Sequence, residues 1–290
     1  MYDRDMQRQQ GYKYRLNLPD GAVTKLSQYA GCARLVWNMA MAASETKYPG
    51  NGHLSALLPL WKASLPFLKD CDSIALQQSL RNFDRAWQNY FGFPEHFDRP
   101  TFKKRDFHST FRIVGAAAQK AEQGRVWLPK FGWLSYRQSR KWEGSVTSLT
   151  FRRKAGKWYV TVGTKREVKE PKPRKGDWIG IDVGIARYAT LSTGAHAPSV
   201  HALRKSQRKL TKYSRILEKC QKGGRRRAKI KLRVQALHQR VANQRSDHAH
   251  QVSSLIVKKH GRVKMEDLRL VNMMKSAKGT TDKPGKNVAQ

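Results

Sequence analysis

Acidic residues are scarce in this sequence. Only 21 Asp plus Glu stand against 58 Lys plus Arg, giving 290 residues a formal net charge of +37. That imbalance excludes the balanced surface of an ordinary metabolic enzyme and calls for a polyanionic partner. Nucleic acid leads, and an anionic membrane surface is the rival. Long apolar runs are also absent. No stretch approaches the roughly 20 residues of a membrane-spanning helix, and the polar start MYDRDMQRQQ lacks the pattern of a signal peptide. The expected location is the cytoplasm. Cysteine is rare: Cys32, Cys71 and Cys220 lie far apart, with no C-x-x-C pair. A zinc ribbon or dithiol redox motif is thereby excluded from these residues, and buried free thiols are expected. The nine His show no metal-ligand spacing. His248 and His250 are two apart, which on a helix points them away from each other.

What is present divides along the chain. Residues 11–18, GYKYRLNL, alternate as a short strand, and Asp20-Gly21 is a turn signal. Ala22, Leu26, Tyr29, Ala33, Val36 and Ala40 recur at helical steps until YPGNG (48–52). A second helix follows Ser73 as N-cap, with Leu76, Leu80, Phe83, Trp87 and Tyr90 on one face. Its aromatic stripe reads as core, and so does Trp37. From about 107 to 167 the period is strand-like: Arg125–Pro129 is one short strand, and 145–153 with 157–162 flank Lys154-Ala-Gly156 as a hairpin. The charged, Pro-containing EVKEPKPRKGD (167–177) reads as the main domain boundary.

The chain then changes character. DWIGIDVGIA (177–186) reads as a buried strand through Ile179, Ile181, Val183 and Ile185, and RYATLS (187–192) as its hairpin partner. Between Arg204 and Arg245 come sixteen Lys or Arg and a single acid, Glu218. Leu203, Leu210, Tyr213, Ile216 and Leu217 lie at helical spacing. So do Ile230, Val234, Leu237 and Val241 beyond Gly223-Gly224. The pattern is a helical hairpin with a basic outer face. A charge run is commonly just a solvated face, but such faces mix signs for i, i+4 support, and this one does not. A strand, Arg262–Met265, leads to Glu266.

Asp182 poses a problem. Buried in an apolar strand, its carboxylate would cost several kcal/mol of desolvation unless paired with a basic side chain or a metal. Glu266 ends another strand. Two acids brought together repel unless a cation sits between them. Mg²⁺ prefers such oxygen ligands, and with a phosphodiester as third partner this is the layout of two-metal phosphoryl transfer. From the residues alone two other readings stay open: Asp182 could pair with an arginine, and Glu266 could be a surface residue.

Seven segments, in order, carry a resemblance. They are YKYRL (12–16), GCARLVWN (31–38), ALQQSLRNFDRAW (75–87), the F-K-K-R of 102–105, LPKFGW (128–133), GIDVGIARYATLS (180–192) and MEDLRLVNM (265–273). Together the chain resembles the TnpB family, transposon-encoded RNA-guided DNA endonucleases with a RuvC-like nuclease domain, related to the type V CRISPR effectors. The resemblance implies an α/β multidomain fold. Residues 1–20 and 92–167 would form a wedge-like β-barrel, 21–91 a helical recognition insert, 168–176 a linker, and 177–290 a partial RNase H-like (RuvC) α/β domain. Asp182 and Glu266 match the first two catalytic acids and would bind Mg²⁺. The implied partners are a guide RNA and double-stranded target DNA, with no membrane. For the nucleic acid the candidates are Arg204, Lys205, Arg208, Lys209, Lys212, Arg215, Arg225, Arg226, Arg227 and Lys229, which would track heteroduplex phosphates. Lys103, Lys104 and Arg105, with Tyr12, Lys13 and Arg15, are candidates by position. TnpB proteins continue past the point matched by Gln290, with a zinc ribbon and a third catalytic Asp. The expectation is therefore a truncated member with an incomplete site, with Zn²⁺ only in the missing C-terminal region. Asp267 and Asp282 are poor replacements for that third ligand: the first would point to the opposite strand face, and the second lies in a polar, Gly/Pro-containing tail. The alternative function is nucleic-acid binding without cleavage, as a repressor or inert remnant. A generic basic protein such as a ribosomal one fits the ordered segments poorly.

Overall fold

The structure is a computed structural model, and it describes residues 5–105, 109–170, 176–184 and 186–266. The chain forms two compact units, Met1–Glu170 and Pro171–Gln290. In chain order the first contains β1 (Asp5–Asn17), α1 (Ala22–Ala42), α2 (Asn51–Ser64), a 3₁₀ turn (Pro66–Asp70), α3 (Ser73–Gly92), β2 (Thr110–Val114), α4 (Ala116–Gln119), β3 (Ala121–Glu122), β4 (Arg125–Leu128), β5 (Gly132–Arg137), β6 (Ser145–Lys154) and β7 (Lys157–Lys169). The second contains β8 (Trp178–Asp182), β9 (Arg187–Leu191), β10 (His196–Pro198), α5 (Ala202–Glu218), α6 (Arg225–Lys259) and β11 (Arg262–Met265). The architecture is α/β in both units.

The N-terminal unit is built on one seven-stranded antiparallel sheet, ordered β2-β6-β7-β1-β5-β4-β3. It is open. β2 and β3 are its edges, so the closed barrel expected from the sequence is not formed among the described residues. β6 and β7 meet at a tight turn where both Ala155 (φ 48°) and Gly156 (φ 77°) are left-handed. That geometry matches the right-handed twist of the flanking strands. Along β7, Trp158, Val160, Val162 and Thr164 are buried on alternate positions. Beyond Thr164 the apolar alternation stops, yet the strand runs on to Lys169. It does so because its ladder with β1 continues to Asp5↔Lys169. The backbone ladder extends both strands past the segments legible as apolar alternation.

Helices α1 and α3 pack together and on the sheet. Trp37 meets Phe83 edge to face at 5.1 Å, and Ser79 Oγ donates to the Ala33 carbonyl at 2.5 Å. The cap of α3 is Asp72, one residue before the Ser73 expected. Its carboxylate accepts from the Ile74 and Ala75 amides. Helix α2 was not evident in the sequence because Pro59 sits inside it and removes one backbone donor.

The C-terminal unit holds a four-stranded sheet ordered β10-β9-β8-β11 and the helical hairpin α5–α6. β8 pairs antiparallel with β9 and parallel with β11. A parallel partner requires a crossover, and α5 and α6 supply it. The unit buries little. Among its described residues, the apolar ones that are buried are Ile179, Ala189, Ala202, Ile230 and Val241. Leu203, expected on the apolar face of α5, is 42% exposed. Among the described residues no helix is long and apolar enough to cross a membrane.

Candidate active site and nucleic-acid interface

The parallel pairing of β8 with β11 runs Arg262↔Trp178, Val263↔Ile179, Lys264↔Gly180 and Met265↔Ile181. One step further, Glu266 follows Met265 and Asp182 follows Ile181. The register therefore brings the two acids to the same end of neighbouring strands, which in a sheet lie roughly 4.8 Å apart. Residues in register on parallel strands share a face, so both carboxylates belong to one corner of the sheet. At that spacing in water they repel by about 1 kcal/mol.

One expectation is corrected here. Asp182 is not a buried carboxylate in an apolar strand. It is the exposed last residue of β8, Ile181 is only partly buried, and Val183 lies outside the strand; Ile185 lies outside the described residues. Desolvation cannot be what calls for a partner. Glu266 is exposed as well. Neither acid has a salt bridge or side-chain hydrogen bond among the described residues, in a chain with 58 cationic side chains. The corner is set by register, without ion pairing. Among the described residues no third His, Cys, Asp or Glu joins them. Asp267 and Asp282 lie outside the described residues.

The basic hairpin stands as the sequence implies, with a longer second helix: α6 runs 35 residues, about 52 Å. Arg204, Lys205, Arg208, Lys209, Lys212, Arg215, Arg225, Arg226 and Lys229 are all exposed. Arg227 differs. It is half-buried, and its guanidinium donates to the Leu217 carbonyl at 2.5 Å and to the Cys220 carbonyl at 3.2 Å. Leu217 lies in the last turn of α5 and Cys220 just past its C-cap Lys219, where helical partners run out and a cation is favoured. Arg227 thus clamps the hairpin, a role the run of three arginines conceals. Arg227→Ala is expected to destabilise the C-terminal unit by about 1–3 kcal/mol. Arg225→Ala and Arg226→Ala should each stay within about 0.5 kcal/mol. Urea unfolding followed by helical circular dichroism checks both; equal effects at all three positions would contradict the clamp.

The family profile described as "Probable transposase" matches residues 160–277, and one described as "Helix-turn-helix domain" matches residues 6–53. The Escherichia coli protein named "Putative RNA-guided DNA endonuclease InsQ" is 36% identical over 291 residues, covering 98% of this chain and 72% of that protein. The chain belongs to the TnpB family. Another TnpB relative, from Streptomyces pristinaespiralis and bearing the same descriptive name, is 30% identical over 92% of this chain and 69% of its own length. A Mycobacterium tuberculosis relative is 28% identical over 61% of this chain and 42% of its own.

Of the candidate TnpB contacts in the N-terminal unit, the structure separates two kinds. Tyr12 is core, 5% exposed, while Lys13 and Arg15 alternate to the open face of β1. Burial pushes the Lys13 ammonium below the usual lysine range, and the like charges of Lys154 and Arg152 push it further. A cation cluster of this kind is destabilising until an anion arrives. Trp37 and Trp87 are core, as expected. Trp37 also organises the 101–105 segment: its Nε1 donates to the Thr101 carbonyl at 3.0 Å, and Lys103 Nζ lies 3.2 Å from its ring centroid. Asn38 pairs with the Lys103 backbone through both side-chain atoms. Desolvation pushes Lys103 down to about 8, opposed by the attraction of the ring face for a cation. Lys103 is therefore partly committed to the Trp37 ring, although Lys103, Lys104 and Arg105 are all exposed to solvent.

Proposed function

We propose that this chain acts as an RNA-guided DNA endonuclease whose metal-binding corner contains Asp182 and Glu266. The observation that supports the reading is the β8–β11 register, whose last pair, Met265↔Ile181, directly precedes Glu266 and Asp182, two acids without an ion pair among the described residues of a TnpB family member. The names of the E. coli and Streptomyces relatives support the same activity. The domain reading goes with it. Residues 1–20 and 92–167 are a wedge-like domain, 21–91 a recognition insert, 168–176 a linker and 177–290 the RuvC-like part. The order β10-β9-β8-β11, an antiparallel meander extended by a parallel strand after a helical crossover, supports that last assignment.

The donor set fits magnesium. Both ligands are hard carboxylate oxygens, exposed and without an ion-pair partner among the described residues, which suits Mg²⁺. Held there, Mg²⁺ would activate water and stabilise the leaving oxygen of a phosphodiester. The protein's own part is to fix the two carboxylates through the ladder and to hold the strand by its phosphates. Arg204, Lys205, Arg208, Lys209, Lys212, Arg215, Arg225, Arg226 and Lys229 would supply the phosphate contacts along α5 and α6. They neutralise the backbone while base pairing with a guide selects the sequence. Guide RNA and double-stranded target DNA are thus the partners.

A second reading, nucleic-acid binding without cleavage, is favoured by one observation: among the described residues no third ligand joins the two acids. Two carboxylates hold one Mg²⁺ weakly. The test uses a guide-matched plasmid, with the 290-residue chain and with the same chain continued by the C-terminal segment of the E. coli relative. Cleavage is expected in the continued protein, lost on adding EDTA and restored by Mg²⁺, with little from the 290-residue chain. Guide-dependent binding without cutting in either protein would favour the second reading.

A further inference from the structure

We propose that the cleft at the start of α5 is a phosphate-binding site, separate from the carboxylate corner. The cleft, about 770 Å³, lies between β9, the loop before α5, the first turn of α5 and the later part of α6. Arg204 and His201 line it on one side, Arg245 and His248 on the other, with the hydroxyls of Ser199 and Ser246. Among the described residues no carboxylate lines it. Two guanidiniums facing one cavity without a counter-charge repel each other, and a bound anion removes that cost.

The backbone points the same way. His201 is the N-cap of α5, in a left-handed conformation (φ 47°, ψ 34°), and makes no side-chain cap bond. The first helical bond is Lys205 N–H to the His201 carbonyl at 3.1 Å. The amides of Ala202, Leu203 and Arg204 therefore have no intrahelical acceptor, and the first turn holds no acid. A left-handed conformation costs a non-glycine residue about 1–2 kcal/mol, and such strain concentrates at binding sites. In the cleft wall, His248 packs edge-on against Tyr188 at 4.9 Å, and its Nε2 is buried with no hydrogen-bond partner among the described residues. An uncapped helix start, two arginines from different helices and two imidazoles make a site for a tetrahedral oxyanion. The volume admits a phosphate with its attached sugar. That a nucleic-acid strand brings this phosphate rests on the proposed function; the anion chemistry of the cleft does not.

The experiment follows the ring signals of the nine His by NMR in the intact chain. Those of His201 and His248 are assigned with His201→Gln and His248→Gln. Chloride is exchanged for inorganic phosphate at constant ionic strength. A saturable shift confined to His201 and His248 is expected, its midpoint raised about tenfold by Arg204→Gln or Arg245→Gln and unmoved by replacement of Lys47, an exposed lysine of the N-terminal unit, by Gln. A non-saturating drift shared by all nine rings overturns the site. In a second arm, a short single-stranded RNA replaces phosphate, with binding followed by anisotropy. Movement of the same two signals supports a strand phosphate as the occupant. RNA that binds while leaving both signals still overturns that occupant. RNA that fails to bind counts against the proposed function, and the phosphate arm then decides the cleft by itself.

Discussion

Asp182→Ala is expected to lower guided plasmid cleavage by about a thousandfold or more, the loss of roughly 4 kcal/mol of transition-state stabilisation. The same change should move folding stability by no more than about 0.5 kcal/mol. The reason lies in exposure. Asp182 is a solvated strand end with no ion-pair or side-chain hydrogen-bond partner among the described residues, so the fold has no use for its charge. Removing it even relieves repulsion against Glu266. Glu266→Ala should behave alike, and RNA affinity should be unchanged in both, since neither residue is a cation. The measurement is cleavage rate beside urea unfolding and RNA anisotropy, in whichever form cuts, the 290-residue chain or its continued version. Cleavage within tenfold of the parent would remove Asp182 from the metal site. A large loss of stability would instead make it a structural residue.

RNA binding is expected to fall about a thousandfold between 50 and 200 mM salt, as for six to ten phosphate contacts. Replacing Arg225 and Arg226 together should flatten the slope of log affinity against log salt by about 1.5, the counterions of two phosphates. Arg227 should be left in place in that experiment. Its guanidinium holds the carbonyls of Leu217 and Cys220, and its loss would mix unfolding with binding. A slope unchanged by the double replacement would show that this end of the hairpin touches no phosphate.

Much of the candidate site was legible in the sequence. Asp182 stood within one recognisable strand and Glu266 at the end of another, and the one-signed charge of 204–245 marked the hairpin. Their pairing was not legible, because register between β8 and β11 depends on a crossover of about eighty residues whose length no local pattern fixes. The burial of Asp182 was misread. The apolar neighbours Ile179 and Ile181 suggested a covered strand, yet the unit has too little packed against it to cover its end. Arg227 could not be told from Arg225 and Arg226 by composition; only the phase of α6 against the end of α5 separates them. The extra length of β1 and β7 left no apolar trace, since the backbone ladder carries it on. Helix α2 was hidden by Pro59. The helices α1 and α3 and the β6–β7 hairpin were legible because each carries a long apolar period.

The first strand of the chain is also the central seam of the large sheet. β1 pairs with β7 as far as Asp5↔Lys169 and hands over at Arg15 to β5. During synthesis at about 5–20 residues per second, the ribosome delivers β7 roughly eight to thirty seconds after β1. Through that interval the nascent chain carries an unpaired basic strand, while the contacts of α1 with α3 can already form. The N-terminal unit is thus assembled from its middle outward, and its first-made segment is among the last to be locked. A nascent strand so rich in unpaired donors and positive charge has the RNA-lined ribosomal exit as its nearest polyanion, and its release waits on the arrival of β7.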